Sequence, residues 1–236
     1  MIDKGAKIYI AGHRGMVGSA CWRALTLAGY TNLIGKTSKE LDLRDQNAVE
    51  DFIKTQNPVA IIDAAARVGG ILANDSYPYE FLMNNMLIQN NLIRSAHEND
   101  IEKFIFLGSS CIYPKFPPQP IKEEYLLTDE LEPTNQWYAI AKISGVKLIE
   151  ALRKQFGRDY VSFMPTNLYG PNDNFDLETS HVLPAMIRKF HEAKENHNSK
   201  VTLWGSGSAL REFLHVYDLG QAVLFALEHK LDNHLY

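Results

Sequence analysis

Cysteine is nearly missing from this chain: 236 residues contain two, Cys21 and Cys111. Two thiols build neither a disulfide framework nor a metal cluster, so a reducing cytoplasm is the expected compartment. Long apolar runs are missing too. The richest stretch, residues 61–72, is broken by Asp63 and Arg67 and falls short of the roughly 18 apolar residues a membrane helix needs. Met1-Ile2-Asp3-Lys4-Gly5 leads into the first apolar run without the pattern of a signal peptide. Positive charge is not in excess: 24 Lys and Arg against 28 Asp and Glu give a net charge of -4, which argues against a nucleic-acid partner. Internal repeats and low-complexity tracts are absent. What the chain does have is apolar side chain, 45% of residues, too much for a disordered polymer and enough for one large domain or a domain with a small appendage. These features describe a soluble globular protein with a small-molecule partner.

Short apolar runs and helical periodicities alternate along the chain. Residues 7–11 read as a buried strand, 12–18 as a glycine turn and 20–28 as a helix stopped by Gly29. A short strand at 32–35 and a helix capped by Asp45 with Val49, Phe52 and Ile53 on one face come next. Strands at 59–64, 103–107 and 160–164 alternate with long helices at 79–99 and 137–156. Units of this length require parallel pairing with helices on both faces, an α/β doubly wound sheet. Beyond residue 171 the pattern is looser, with a helix at 182–195, a strand at 201–204 and a last helix at 219–229.

The first strand delivers Gly12-His13-Arg14-Gly15-Met16-Val17-Gly18. Between a strand and the first helix, three such glycines let backbone approach a dinucleotide pyrophosphate at the helix N-terminus. NAD sites place an acid after the second strand to hold the ribose hydroxyls. Here Ile34-Gly35-Lys36-Thr37-Ser38-Lys39 carries none, and Arg14, Lys36 and Lys39 together favour the 2'-phosphate of NADP. Asp42, within Leu41-Asp42-Leu43, suits the adenine better than the ribose.

Tyr138-Ala139-Ile140-Ala141-Lys142 puts a phenol and an ammonium on one helix face, where the cation is expected to lower the phenol pKa. Ser109-Ser110 lies at the end of the fourth strand, the edge at which doubly wound sheets bind ligands. A serine there can hydrogen-bond a carbonyl that Tyr138 protonates.

With these residues, Leu107-Gly108-Ser109-Ser110-Cys111-Ile112-Tyr113-Pro114, Met164-Pro165-Thr166-Asn167-Leu168-Tyr169-Gly170-Pro171 and the stretch from Trp204 through Arg211-Glu212-Phe213-Leu214-His215 extend a likeness over the whole chain. It resembles the extended short-chain dehydrogenase/reductases that act on nucleotide sugars. The branch it is most similar to epimerises the two carbons flanking the ketone of a GDP-4-keto-6-deoxy sugar and then reduces that ketone with NADPH.

The resemblance implies that Cys111 is the base and His181 the acid, with Ser109, Tyr138 and Lys142 holding the carbonyl. A thiol near Lys142 is expected to have a low pKa. The resemblance also implies cofactor contacts from Leu107, Gly108, Pro165, Asn167, Leu168 and His181, and diphosphate or guanine contacts from Lys189, Arg211 and Trp204. Thr128-Asp129-Glu130 mimics the acid pair of sugar-nucleotide dehydratases but is expected to be turn chemistry. Residues 1–170 are expected to form the NADP-binding unit. Residues 171–236 are expected to be part of a smaller, apparently truncated substrate region whose last helix packs back. Relatives of this kind pair their two long helices across a two-fold axis, which implies a homodimer. Two other readings stay open: a different nucleotide-sugar epimerase or dehydratase, and a non-catalytic NADP-binding module.

Overall fold

The computed structural model describes residues 2–177, 179–203, 205–208 and 210–236. Its centre is a parallel five-stranded sheet in the order β2-β1-β3-β4-β5, formed by Ile8–Ala11 (β1), Leu33–Ile34 (β2), Ala60–Asp63 (β3), Lys103–Leu107 (β4) and Asp159–Phe163 (β5). Every residue of β1, β3 and β4 is buried, as expected of strands covered on both faces. At the chain's end, Ser162 and Leu235 form a parallel bridge beside β5.

The alternation of the strands divides the core into two layers. Tyr9, Ile61, Phe104 and Phe106 face helices Gln46–Gln56 (α2), Pro78–Glu98 (α4) and Gln136–Phe156 (α5), which bring Val49, Ile53, Leu92, Ile143 and Val146. On the other face Ile8, Ile10, Ile62 and Ile105 meet Cys21 and Leu25 of Met16–Leu27 (α1) and Leu219 and Val223 of Val216–Glu228 (α7). Helix α7 packs on α1, where Gly220 lets it approach the Ala20 carbonyl.

Several boundaries differ from those read in the sequence. The first helix starts at Met16, inside the glycine turn, because Gly15 already serves as its N-cap. A six-residue helix, Ile71–Ser76 (α3), precedes α4; it is too short for periodicity to reveal. Residues 201–203 are not a strand, and Trp204 lies outside the described residues. The partner of Phe213–His215 (β7) is instead Asn167–Tyr169 (β6), in a parallel two-stranded sheet that no run of apolar residues announces. Val182–Glu195 (α6) stands where expected, as does the Asp45 cap of α2, whose carboxylate accepts the Ala48 N–H at 3.1 Å.

Gly145 sets how closely α5 lies on the sheet: a Cβ there would stand 2.5 Å from the Phe106 ring. Gly145→Val is expected to cost about 1–3 kcal/mol of stability through overpacking. Urea unfolding checks this, and an unchanged midpoint would refute the close contact.

Candidate active site

The strand order reverses between β1 and β3, so a crevice opens at their C-terminal ends. Gly12 follows β1 into it with φ +74°, and a Cβ on Gly12 would lie 2.6 Å from the Ala64 carbonyl oxygen. A Cβ on Gly18 would lie 2.2 Å from the Gly12 oxygen. Both positions therefore require glycine. Gly15 offers α1 no capping side chain, and no acid lies in the first turn, which leaves the N–H groups of Met16, Val17 and Gly18 for an anion. This cradle fits a dinucleotide pyrophosphate.

Around it, the His13 ring packs on Gly35 and lies 5.7 Å from Trp22, while Arg14 is exposed. Burial holds His13 below its ordinary pKa, helped by the charge of Arg14.

The charge count made from the sequence missed Glu40. Its carboxylate turns back to accept the Thr37 N–H and hydroxyl at 2.8 and 2.7 Å and lies 3.7 Å from Lys36. Those hydrogen bonds, then Lys36 and Arg14, bring its pKa down to about 2. The basic patch after β2 therefore carries a fixed negative charge within it.

Asp42 is chelated by Arg44, at 2.9 and 2.7 Å. Leu41 buries its side chain in the core, and the Leu43 carbonyl accepts from Asn91, so ligand contacts of Leu41 would come from its backbone.

The catalytic candidates converge at the ends of β4 and α5. Ser109 caps a single 3-10 turn, residues 110–112, by accepting the Cys111 N–H at 3.4 Å. Gly108 and Ser110 continue the pairing of β4 by donating to the carbonyls of Phe163 and Pro165. Lys142 is 3% exposed; its Nζ donates to the Leu107 carbonyl at 2.7 Å and lies 4.7 Å from the Phe106 ring and 5.7 Å from the Tyr138 ring. Phe81 meets Tyr138 edge-on at 6.5 Å.

Electrostatics in this cluster run against two expectations. Burial pushes the Cys111 thiol up, outweighing Ser109, Lys142 and Asn135, so it rests protonated rather than as a low-pKa thiolate. Burial likewise raises the Tyr138 phenol, reinforced by Cys111 and Asp63, so Tyr138 is a kept acid and not a phenolate made by Lys142. Lys142 itself is lowered by burial and supported by Asp63 and Cys111.

His181 is the N-cap of α6 and is exposed at the surface. Its surroundings lower its pKa, and Asp173 opposes them. The Thr179 carbonyl ahead of it accepts the Gly70 N–H at 3.0 Å, and a Cβ on Gly70 would come within 2.7 Å of the Ser180 oxygen.

The Asn167 amide donates to the Glu212 carbonyl at 3.0 Å and so clamps β6 to β7, while Leu168 packs on the core under α7. Lys189 reaches the Thr202 carbonyl at 3.5 Å, and Arg211 is exposed and donates to Leu210. Those two belong to α6 and the strand-free loop before β7, apart in sequence and element from the Cys111–Lys142 cluster. Thr128, Asp129 and Glu130 form a turn, with the Thr128 hydroxyl on the Tyr125 carbonyl and the Glu130 N–H on Asp129.

Two residues of the site went unread in the sequence. Asn135, the N-cap of α5, turns a side chain toward Cys111; its signal was its place just before the Tyr138–Lys142 pair. Asp63 closes β3 inside the protein; its signal was an acid ending an apolar strand.

Residues 8–236 match the NAD dependent epimerase/dehydratase family. The chain is 60% identical over 228 residues to GDP-L-fucose synthase 1 of Arabidopsis thaliana, covering 97% of this chain and 71% of that protein. It is 53% identical to the GDP-L-fucose synthase of Escherichia coli, covering 94% of this chain and 69% of that one. A GDP-L-fucose synthetase from Naegleria fowleri bound to NADP superposes with a TM-score of 0.86 at 29% identity, covering 96% of this chain and 74% of the other. A GDP-mannoheptose C4 reductase from Campylobacter jejuni with NADP bound gives 0.89 at 35%, covering 97% and 74%.

The raised thiols make a direct prediction. A thiol pKa above the ordinary 9 leaves little thiolate at neutral pH, so iodoacetamide should label Cys111 slowly at pH 7 and faster as pH climbs past 9. Cys21, pushed up to about 12 and buried, should stay unlabelled in the folded protein. Labelling of Cys111 that is already at its maximal rate at pH 7, read by mass spectrometry, would contradict the burial argument.

Proposed function

Because this chain belongs to the NAD dependent epimerase/dehydratase family, and within it to the GDP-L-fucose synthases, we propose the following division of labour for the NADPH-dependent conversion of GDP-4-keto-6-deoxy-D-mannose to GDP-L-fucose. The observation that carries it is the convergence of Ser109, Cys111, Tyr138 and Lys142 at the sheet edge that also bears the glycine cradle.

Epimerisation beside a ketone needs one group to take a proton, another to return one on the opposite face, and a donor for the enolate oxygen between them. Cys111 is the base. Its thiol rests protonated, so the fraction that has lost its proton to solvent is the form that takes the substrate proton, and Lys142 and Asn135 favour that thiolate. His181, on the α6 side, is the acid and delivers a proton as its imidazolium. Ser109 and Tyr138 donate hydrogen bonds to the ketone oxygen in the ground state and as charge builds on it.

In the reduction, NADPH supplies the hydride to the carbonyl carbon. Tyr138 gives its phenolic proton to the oxygen, a role suited to a phenol kept protonated by its surroundings. Lys142 supports that loss of a proton by its charge. The first turn of α1 and Arg14 receive the cofactor phosphates, and Leu107, Gly108, Pro165 and Leu168 line the path to them. Lys189, Arg211 and Trp204 are assigned to the GDP moiety; an arginine fork and a lysine suit a diphosphate.

The chain is further proposed to work as a homodimer. Tyr79, Met83 and Leu87 repeat every four residues along α4 and are 69%, 39% and 37% exposed, and Ile140 on the adjacent helix α5 is 40% exposed. Such a stripe on two adjacent helices suits an isologous contact. A cytoplasmic setting agrees with two unpaired cysteines, and among the described residues no helix is long and apolar enough to cross a membrane.

Incubation with NADPH and GDP-4-keto-6-deoxy-D-mannose in deuterated water should give GDP-L-fucose carrying deuterium at both epimerised carbons. Cys111→Ser and His181→Asn should lower deuterium uptake by about 100-fold or more while NADPH still binds. NADPH binding by the parent without any turnover would instead favour a non-catalytic module. In sedimentation, the double substitution Met83→Glu with Leu87→Glu should convert a dimer to a monomer; an unaffected dimer places the contact elsewhere.

A further inference from the structure

We propose that Asp63 is a positioning residue of this site: its carboxylate is the buried counter-charge that keeps the Lys142 amine charged at the end of β4. The link to cofactor binding rests on the NADPH reading above, and the charge relation itself does not.

Asp63 ends β3 at 1% exposure, in register with Ala11 of β1 and Phe106 of β4. Side chains alternate along a strand, so Asp63 shares the sheet face of Ile61, Tyr9 and Phe106. The Lys142 Nζ lies 4.7 Å above the Phe106 ring, on that same face. Since paired strands run about 4.8 Å apart, the acid and the amine stand over neighbouring strands at the same end of the sheet.

Both groups are half-satisfied. One Asp63 oxygen accepts the Ala65 N–H at 3.2 Å, and Oδ2 is buried with no hydrogen-bond partner among the described residues. Lys142 gives one hydrogen bond, to the Leu107 carbonyl, and an ammonium has three protons to give. A buried ammonium with one neutral acceptor is driven to shed its proton unless a negative charge lies close. Asp63 is that charge, because Cys111, the other acid facing Lys142, rests as a thiol.

The remaining groups around Asp63 do not replace it. Tyr9 of β1 and Tyr138 of α5 are phenols held protonated by burial. Helix α4 brings the neutral amides Asn85 and Gln89, and α2 brings Val49 and Ile53. The rest of β3, Ala60, Ile61 and Ile62, is apolar, so strand packing alone gives no reason for a carboxyl at its end. A buried carboxyl left with an unmet oxygen costs stability, and the charge it supplies to Lys142 gives that cost a use.

The test uses the full chain with 13C-labelled lysine. Without cofactor, the Lys142 ammonium should titrate about one pH unit lower in Asp63→Asn than in the parent, a tenfold change in its acid constant. Coincident titrations would overturn the proposal. NADPH affinity, read by fluorescence from pH 6 to 10, should lose its alkaline limb at correspondingly lower pH in the variant. If the parent binds NADPH and the two profiles superimpose, Asp63 does not act on the cofactor through Lys142. A parent that fails to bind NADPH defeats the functional reading instead, and the lysine titration still decides the charge relation. Should Asp63→Asn not fold, the Asp63 carboxyl carbon can be followed in the parent and in Lys142→Met. Its midpoint should lie above the ordinary carboxylate range in the parent and rise further when the lysine is gone; an ordinary midpoint in both would overturn the proposal.

Discussion

The crevice at the C-terminal ends of β1 and β3 depends on one close approach of backbone to backbone. The chain leaving β1 passes the end of β3 and then turns into α1 with so little clearance that Gly12 and Gly18 have no room for a Cβ. That packing opens the crevice at the reversal of strand order and aims the uncapped first turn of α1 into it. The same sheet edge carries Asp63, Ser109 and, through α5, Tyr138 and Lys142, so the cradle and the reactive groups are placed by the same strands.

The second theme is burial. Cys111, Tyr138 and Lys142 are each pushed toward their neutral forms by the protein around them. A simple count of neighbouring charges therefore misleads: Lys142 does not make a thiolate of Cys111 or a phenolate of Tyr138 at rest. In this setting the lysine itself needs support. A thiol that must be activated and a phenol that keeps its proton suit a site where proton transfers begin only once a carbonyl has arrived to receive them.

How much of this was legible in the sequence varied with the kind of signal. β4 and α6 were readable to the residue, β4 as a short apolar run with a lysine at one border and a glycine at the other, α6 from a long helical period. The parallel sheet followed from the spacing of the units. β6 and α3 were not readable, since three or six residues carry no period and are held by tertiary partners such as Glu212. At the site, Ser109, Tyr138 and Lys142 could be found from their spacing and place, whereas Cys111 and His181 needed the likeness to relatives. Asp63 and Glu40 escaped for opposite reasons: one hides at the end of an apolar run, and the other lies just past the stretch counted and folds back onto it.

The segment that carries His181 is moored at both ends. Asn172 reaches the Ser19 hydroxyl on α1 at 3.0 Å, and Thr179 receives the Gly70 N–H. Between them, Asp176 binds the Thr179 N–H and hydroxyl, which ties the loop to itself. A loop fixed in this way has already lost much of its conformational freedom before any ligand enters, so ordering it takes little from the affinity of the ligand. One mooring is thus the helix that begins at the glycine cradle, so the loop before His181 and the cradle are joined by a direct side-chain contact.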